Sequence, residues 1–71
     1  MICEDVGARI RFLRKQLGLS QERFALKAEI DRTYLAGIES GKRNLTILSL
    51  ERIVNALGVT MKEFWNFEPY C

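Results

Sequence analysis

The chain has 71 residues with 11 basic and 9 acidic side chains, a net charge of +2, which is length for one small domain and not for two. No apolar run reaches the ~18 residues of a membrane span, and histidine is absent. The only cysteines, Cys3 and Cys71, stand at opposite ends, which argues against a metal centre or a dense disulfide framework. The N-terminus carries no signal-peptide pattern. The expectation is a soluble cytoplasmic protein with no cofactor and two reduced thiols, a single disulfide closing nearly the whole chain being the alternative.

Five short helical patterns follow one another, and nothing alternates with the period of a strand. The first runs from about Glu4 to Leu17, with Val6, Ile10, Leu13 and Leu17 on one stripe. Glu4 and Asp5 suit the positive end of its dipole, and Gly18 stops it. Ser20 is placed to cap a second helix, Gln21 to Ala28, whose inner face is Phe24, Ala25 and Ala28. Asp31 caps a third, from Arg32 to about Ser40, with Leu35 and Ile38 inward. Thr46 caps a fourth, where Ile47, Leu50, Ile53, Val54 and Leu57 form the stripe and Gly58 ends it. The run Thr60-Met61-Lys62-Glu63 is a capping box that opens a last helix through about Asn66. None of these is long enough to hold its shape alone in water. They must pack together, so the fold class is all-α, one domain over residues 1–71.

Charge is unevenly spread. From Arg9 to Arg43 there are nine basic and four acidic residues, while the two ends together hold two basic and five acidic. A basic middle of this kind fits a surface that meets a polyanion, or equally a solvated face.

Only Glu29, Ile30 and Asp31 separate the second and third helices, and so tight a link makes them cross at roughly 90–120°. That crossing needs a small residue where the helices touch, supplied by Ala25, and an apolar residue in the turn, supplied by Ile30. With Phe24, Ala28, Leu35 and Ile38, these complete the buried set of a helix-turn-helix over residues 21–40. Here the sequence closely resembles the Cro and phage-repressor family of helix-turn-helix DNA-binding domains, a five-helix, lambda-repressor-like fold. The stretches that carry the likeness are RIRFLRKQLGLSQERFALKAEIDRTYL, GIESGKRN and LERIVNALGV, and together they cover about Val6 to Phe64. Within the family, DRTYLAGIESGKRNLT is most similar to the controller proteins of restriction–modification operons. The family usually has Gly where this chain has Glu29, which costs roughly 1 kcal/mol if the turn is left-handed.

The resemblance makes the third helix the recognition helix. Its face opposite Leu35 and Ile38 holds Arg32, Thr33, Ala36, Gly37 and Ser40. Residues near the N-terminus of such a helix reach base edges in the major groove. Arg32 is suited to guanine O6 and N7, and Thr33 to a base edge or a thymine methyl. Ala36 and Gly37 would let the helix approach closely. Gln21 at the start of the second helix, Ser40, and the loop Lys42, Arg43 and Asn44 are candidates for the DNA backbone. The likeness to controller proteins adds Tyr34 and again Arg43; Tyr34 borders the inner face, and a partly buried aromatic is its alternative. It also implies a structural ion pair between Arg14 and Glu39.

Four of the seven aromatics, Phe64, Trp65, Phe67 and Tyr70, fall in the last eight residues. A short helix presents only one inner face. Phe64, Trp65 and Phe67 are therefore candidates for a homodimer interface as well as for covering the core, with the outer face of the fourth helix near Leu48 as the other place for one. The expected function is a homodimeric transcriptional regulator binding a palindromic site on double-stranded DNA. A phage-type repressor or antitoxin has the same residue pattern, and a protein-interaction module without DNA binding is the alternative from another class. An enzyme is not expected: no phosphate-cradling glycine loop, no metal set and no nucleophile with its base is present.

Overall fold

The computed structural model describes Met1–Cys71 and contains five helices: α1 (Ile2–Gln16), α2 (Gln21–Ala28), α3 (Arg32–Glu39), α4 (Ile47–Leu57) and α5 (Met61–Phe64). Each predicted cap forms. Ser20 Oγ accepts from the Arg23 N–H at 3.1 Å, and the Asp31 carboxylate accepts from Thr33 and Tyr34 at 2.9 and 3.2 Å. Thr46 Oγ1 takes the Ser49 N–H at 3.0 Å. Thr60 and Glu63 exchange hydrogen bonds of 2.7 and 3.0 Å as a full capping box. Two bonds from Thr60 hold the Glu63 carboxyl below the usual carboxylate range. These bonds satisfy N–H groups that each first turn otherwise leaves without partners.

The turn between α2 and α3 is left-handed at Glu29, with φ 59° and ψ 42°. A side chain therefore occupies a conformation that glycine adopts more readily.

Twelve buried apolar residues form one core, and Phe24, Phe64, Ile10, Leu35, Ile38 and Ile53 are its largest fully enclosed side chains. Of the predicted stripes, Leu13 and Leu50 pack against this core partly buried, and two positions are exposed. Leu17 is the C-cap of α1 and is largely exposed, because the helix stops at Gln16 before the stripe completes its next turn. Ile47 is 87% exposed at the first position of α4. Ile30 is only half-buried, packed on the rim of the core. The last helix is also shorter than expected, since it ends at Phe64 and Trp65 is its C-cap.

Gly7 decides how α1 meets α3. A Cβ built there would collide with the carbonyl oxygen of Ile38 and lie 2.9 Å from that of Glu39. Two helix backbones touch at this point, and only a residue without a side chain leaves room for it. The periodicity of apolar residues carries no signal for this approach.

Candidate nucleic-acid interface

Because Leu35 and Ile38 are sealed in the core, α3 must present its other side to solvent. Arg32, Thr33 and Ser40 are exposed there and Ala36 is half-buried between them. The N-cap bonds from Asp31 hold the first turn rigid while leaving both Arg32 and Thr33 side chains free. Arg32 shares a shallow depression with Arg23 and Glu22 of α2. Further along the same face of α3, Arg11, Gln21, Ala36 and Ser40 line a second one. Arg11 has no signal in the sequence, because nothing local distinguishes it from the other basic residues of α1.

The loop after α3 is held close to the helix. The N–H groups of Lys42 and Arg43 both donate to the Gly37 carbonyl, at 3.0 and 3.1 Å. The Arg43 stem lies directly over Gly37, where a Cβ would stand 2.7 Å from its Cγ. Its guanidinium sits 5.6 Å above the Tyr34 ring. The bareness of Gly37 therefore makes room for Arg43, while Gly37 itself stays partly exposed. Tyr34 is half-buried, packs on the core and donates a long 3.3 Å bond to Ser49 Oγ. It supports Arg43 from below. Lys42, Arg43 and Asn44 are all exposed.

Only two ion pairs exist, Met1 with Glu4 and Arg14 with Glu39. Arg11, Arg32, Lys42 and Arg43 thus have no carboxylate partner and are free to meet an anion. The Arg14 guanidinium binds both Glu39 oxygens, at 2.7 and 3.0 Å, and also donates to the Leu19 carbonyl at 2.7 Å. Gln21 Nε2 donates to the same carboxylate at 3.1 Å. The amide expected to reach a phosphate is therefore turned toward Glu39, and it joins the start of α2 and the end of α3 to α1.

The family model described as helix-turn-helix matches residues 10–64, which takes in α2, the left-handed turn, α3 and the packing helices around them. The chain belongs to the helix-turn-helix family. The control protein C.MunI of Mycoplasma sp is 44% identical over 61 residues, covering 84% of this chain and 82% of the relative. The control protein C.BamHI of Bacillus amyloliquefaciens is 37% identical over 62 residues, covering 86% and 76%. Among solved structures, the tetramer of the restriction-modification controller protein C.Esp1396I in complex with its natural 35 base-pair operator is 42% identical, with a TM-score of 0.85 over 90% of this chain and 84% of that one.

In this helix-turn-helix protein the aromatic tail folds back on α1. Phe64 is fully buried, which corrects its assignment to a dimer interface: a side chain enclosed by its own domain has no surface to offer. Trp65 and Phe67 stack with ring centroids 6.2 Å apart and remain half-exposed. Arg9 ties the tail down, donating to the carbonyls of Phe64 and Glu63 at 2.9 and 3.1 Å while its guanidinium lies 5.1 Å from the centre of the Phe67 ring. Tyr70 Oη donates to Asp5 at 2.8 Å. Beside Trp65 runs an apolar groove of about 240 Å³, lined also by Ile2, Val6, Leu45, Ile47 and Leu50.

Proposed function

We propose that this chain is a sequence-specific DNA-binding transcriptional regulator, a controller protein of the restriction–modification type, acting as a homodimer on a palindromic operator. The observation that carries this is the exposed row on α3 and its loop. Arg32 and Thr33 stand free at the helix N-terminus, and Lys42 and Arg43 stand free just past its end. Base edges are read by the first pair and phosphates are met by the second. The high identity to control proteins over most of both chains supports the controller assignment. So does the solved operator complex of one relative. The reading is that of a binding protein and not of an enzyme, working where the DNA is, in the cytoplasm. The whole chain, residues 1–71, serves as one domain with its motif at 21–40.

One such unit reads few base pairs, and a two-fold pair of them reads a palindrome with half-sites about 34–36 Å apart or a multiple of that. The exposed apolar side chains of Ile47 (87%) and Leu48 (57%), beside the groove at Trp65, offer one surface for this pairing, and the stacked Trp65 and Phe67 offer the other. The experiment is a gel shift with the DNA upstream of the protein's own gene across a range of salt. Retarded bands that weaken steeply with salt, and footprints on two symmetric half-sites, are expected. Binding of a single asymmetric half-site by a monomer would overturn the reading.

A further inference from the structure

The N-terminus of α1 is packed against the loop that follows α3. Gly41 lies so close to Glu4 that a Cβ there would stand 2.7 Å from Glu4 Cγ, and one residue away along α1 the Cys3 thiol donates to Asn44 Oδ1 at 2.9 Å. Cys3 is half-buried on the wall of the apolar groove, while Asn44 is exposed beside Lys42 and Arg43.

A carboxamide has an accepting end and a donating end. Phosphate oxygens only accept, so Asn44 is useful to DNA only when its NH₂ faces outward. A free asparagine side chain turns either end outward with similar ease. Here the thiol occupies the oxygen, which leaves the NH₂ as the outward group. We infer that Cys3 is a positioning residue for DNA binding: it fixes the Asn44 carboxamide as a phosphate donor without touching DNA itself. This rests on the DNA-binding reading above. It also separates the loop into two kinds of partner for the backbone, with Lys42 and Arg43 bringing charge and Asn44 bringing a neutral, oriented donor.

The test is fluorescence anisotropy on a random-sequence duplex, which isolates backbone binding, alongside the duplex from upstream of the gene. Cys3→Ala should weaken both duplexes by about twofold, because a carboxamide free to turn either end outward is competent only about half the time. The dependence on salt should stay as in the wild type, because a neutral amide releases no counterion. Cys3→Ser keeps a donor and should restore most of the affinity. In an Asn44→Ala background, Cys3→Ala should have no further effect, since there is then no carboxamide to orient. A melting temperature measured on each variant separates this from a loss of folding. Wild-type affinity in Cys3→Ala overturns the role of Cys3 alone, as does an undiminished loss in the Asn44→Ala background. A wild type that shows no salt-dependent binding to either duplex overturns the DNA-binding reading itself, and this role with it.

Discussion

Arg14 Nε lies 2.7 Å from Glu39 Oε2, and the two side chains are only 8% and 3% exposed. This buried pair ties the middle of α1 to the end of α3, and every polar atom in it is satisfied: no buried side-chain nitrogen or oxygen lacks a partner. Its weight lies in what happens when one half is removed. Arg14→Ala leaves a buried carboxylate with only Gln21 for company, and should lower stability by about 3–5 kcal/mol. Replacing both by apolar residues of similar volume, Arg14→Met with Glu39→Leu, should restore most of that loss. Urea unfolding followed by circular dichroism measures both.

Base reading and backbone binding should separate by residue. Arg32→Ala should cost roughly 1–3 kcal/mol on the operator and relax preference at one base pair. Arg43→Ala or Lys42→Ala should weaken all sequences alike and reduce the slope of log affinity against log salt by about 0.9 for each phosphate no longer neutralised. Binding measured on operator and random duplexes over a salt series tells them apart. Equal losses for Arg32→Ala on both would remove it from the base-reading set.

Gly7→Ala sets a helix-propensity gain of about 1 kcal/mol against a collision. The colliding atoms are the carbonyl oxygens of Ile38 and Glu39, which belong to a helix backbone and cannot swing aside. The expected outcome is a net destabilisation in the range of about 1–3 kcal/mol typical of overpacked cores, read as a lower urea midpoint. Gly37→Ala is the informative contrast. Its obstacle is the Arg43 stem, which can move, so folding should be spared while DNA affinity falls.

Dimerisation has two candidate surfaces, and they can be tested separately. Ile47→Glu adds a charge to a side chain that is 87% exposed and should leave the fold intact while shifting sedimentation at micromolar concentration to the monomer. Removing Phe67 to Cys71 should keep the core, since Phe64 is retained. If the truncated chain alone becomes monomeric, the aromatic stack is the interface; if neither change has an effect, both assignments are wrong. Whichever surface pairs, operator affinity should fall more than stability when it is broken, because linked half-sites become independent.

The tail should respond to alkaline pH. The bond to Asp5 raises the Tyr70 hydroxyl above its usual 10.0, with burial and the Asp5 charge acting in the same direction. A group raised in the folded state gives a contribution that is complete below its unfolded value, about pH 10, and disappears as pH rises through the folded value. Trp65, whose ring centre is 5.3 Å from that of Tyr70, should report the release by fluorescence at a pH above that unfolded value. Tyr70→Phe should abolish that step and leave the neutral-pH spectrum largely unchanged.

The helices and the starts of the four capped ones are legible in the sequence because capping is local, whereas α1 begins two residues earlier than its pattern and α5 ends two residues sooner. Ser20, Asp31, Thr46 and Thr60 each act on N–H groups two or three residues ahead, and Gly58 stops α4 through its own left-handed conformation. The exposed character of Arg32 and Thr33 is legible too, since a buried Leu35 and Ile38 leave the opposite face only solvent to meet. Tertiary packing decided the rest. It enclosed Phe64 while leaving Trp65 and Phe67 at the surface, laid Arg43 across Gly37, turned Gln21 toward Glu39, and brought Cys3 to Asn44 from 41 positions away. Period and caps determine which side of a helix faces inward, but not what lies against it. Neighbours from distant parts of the chain are chosen by the crossing of whole helices, and for α1 and α3 that crossing turns on Gly7, where two helix backbones meet without a side chain between them.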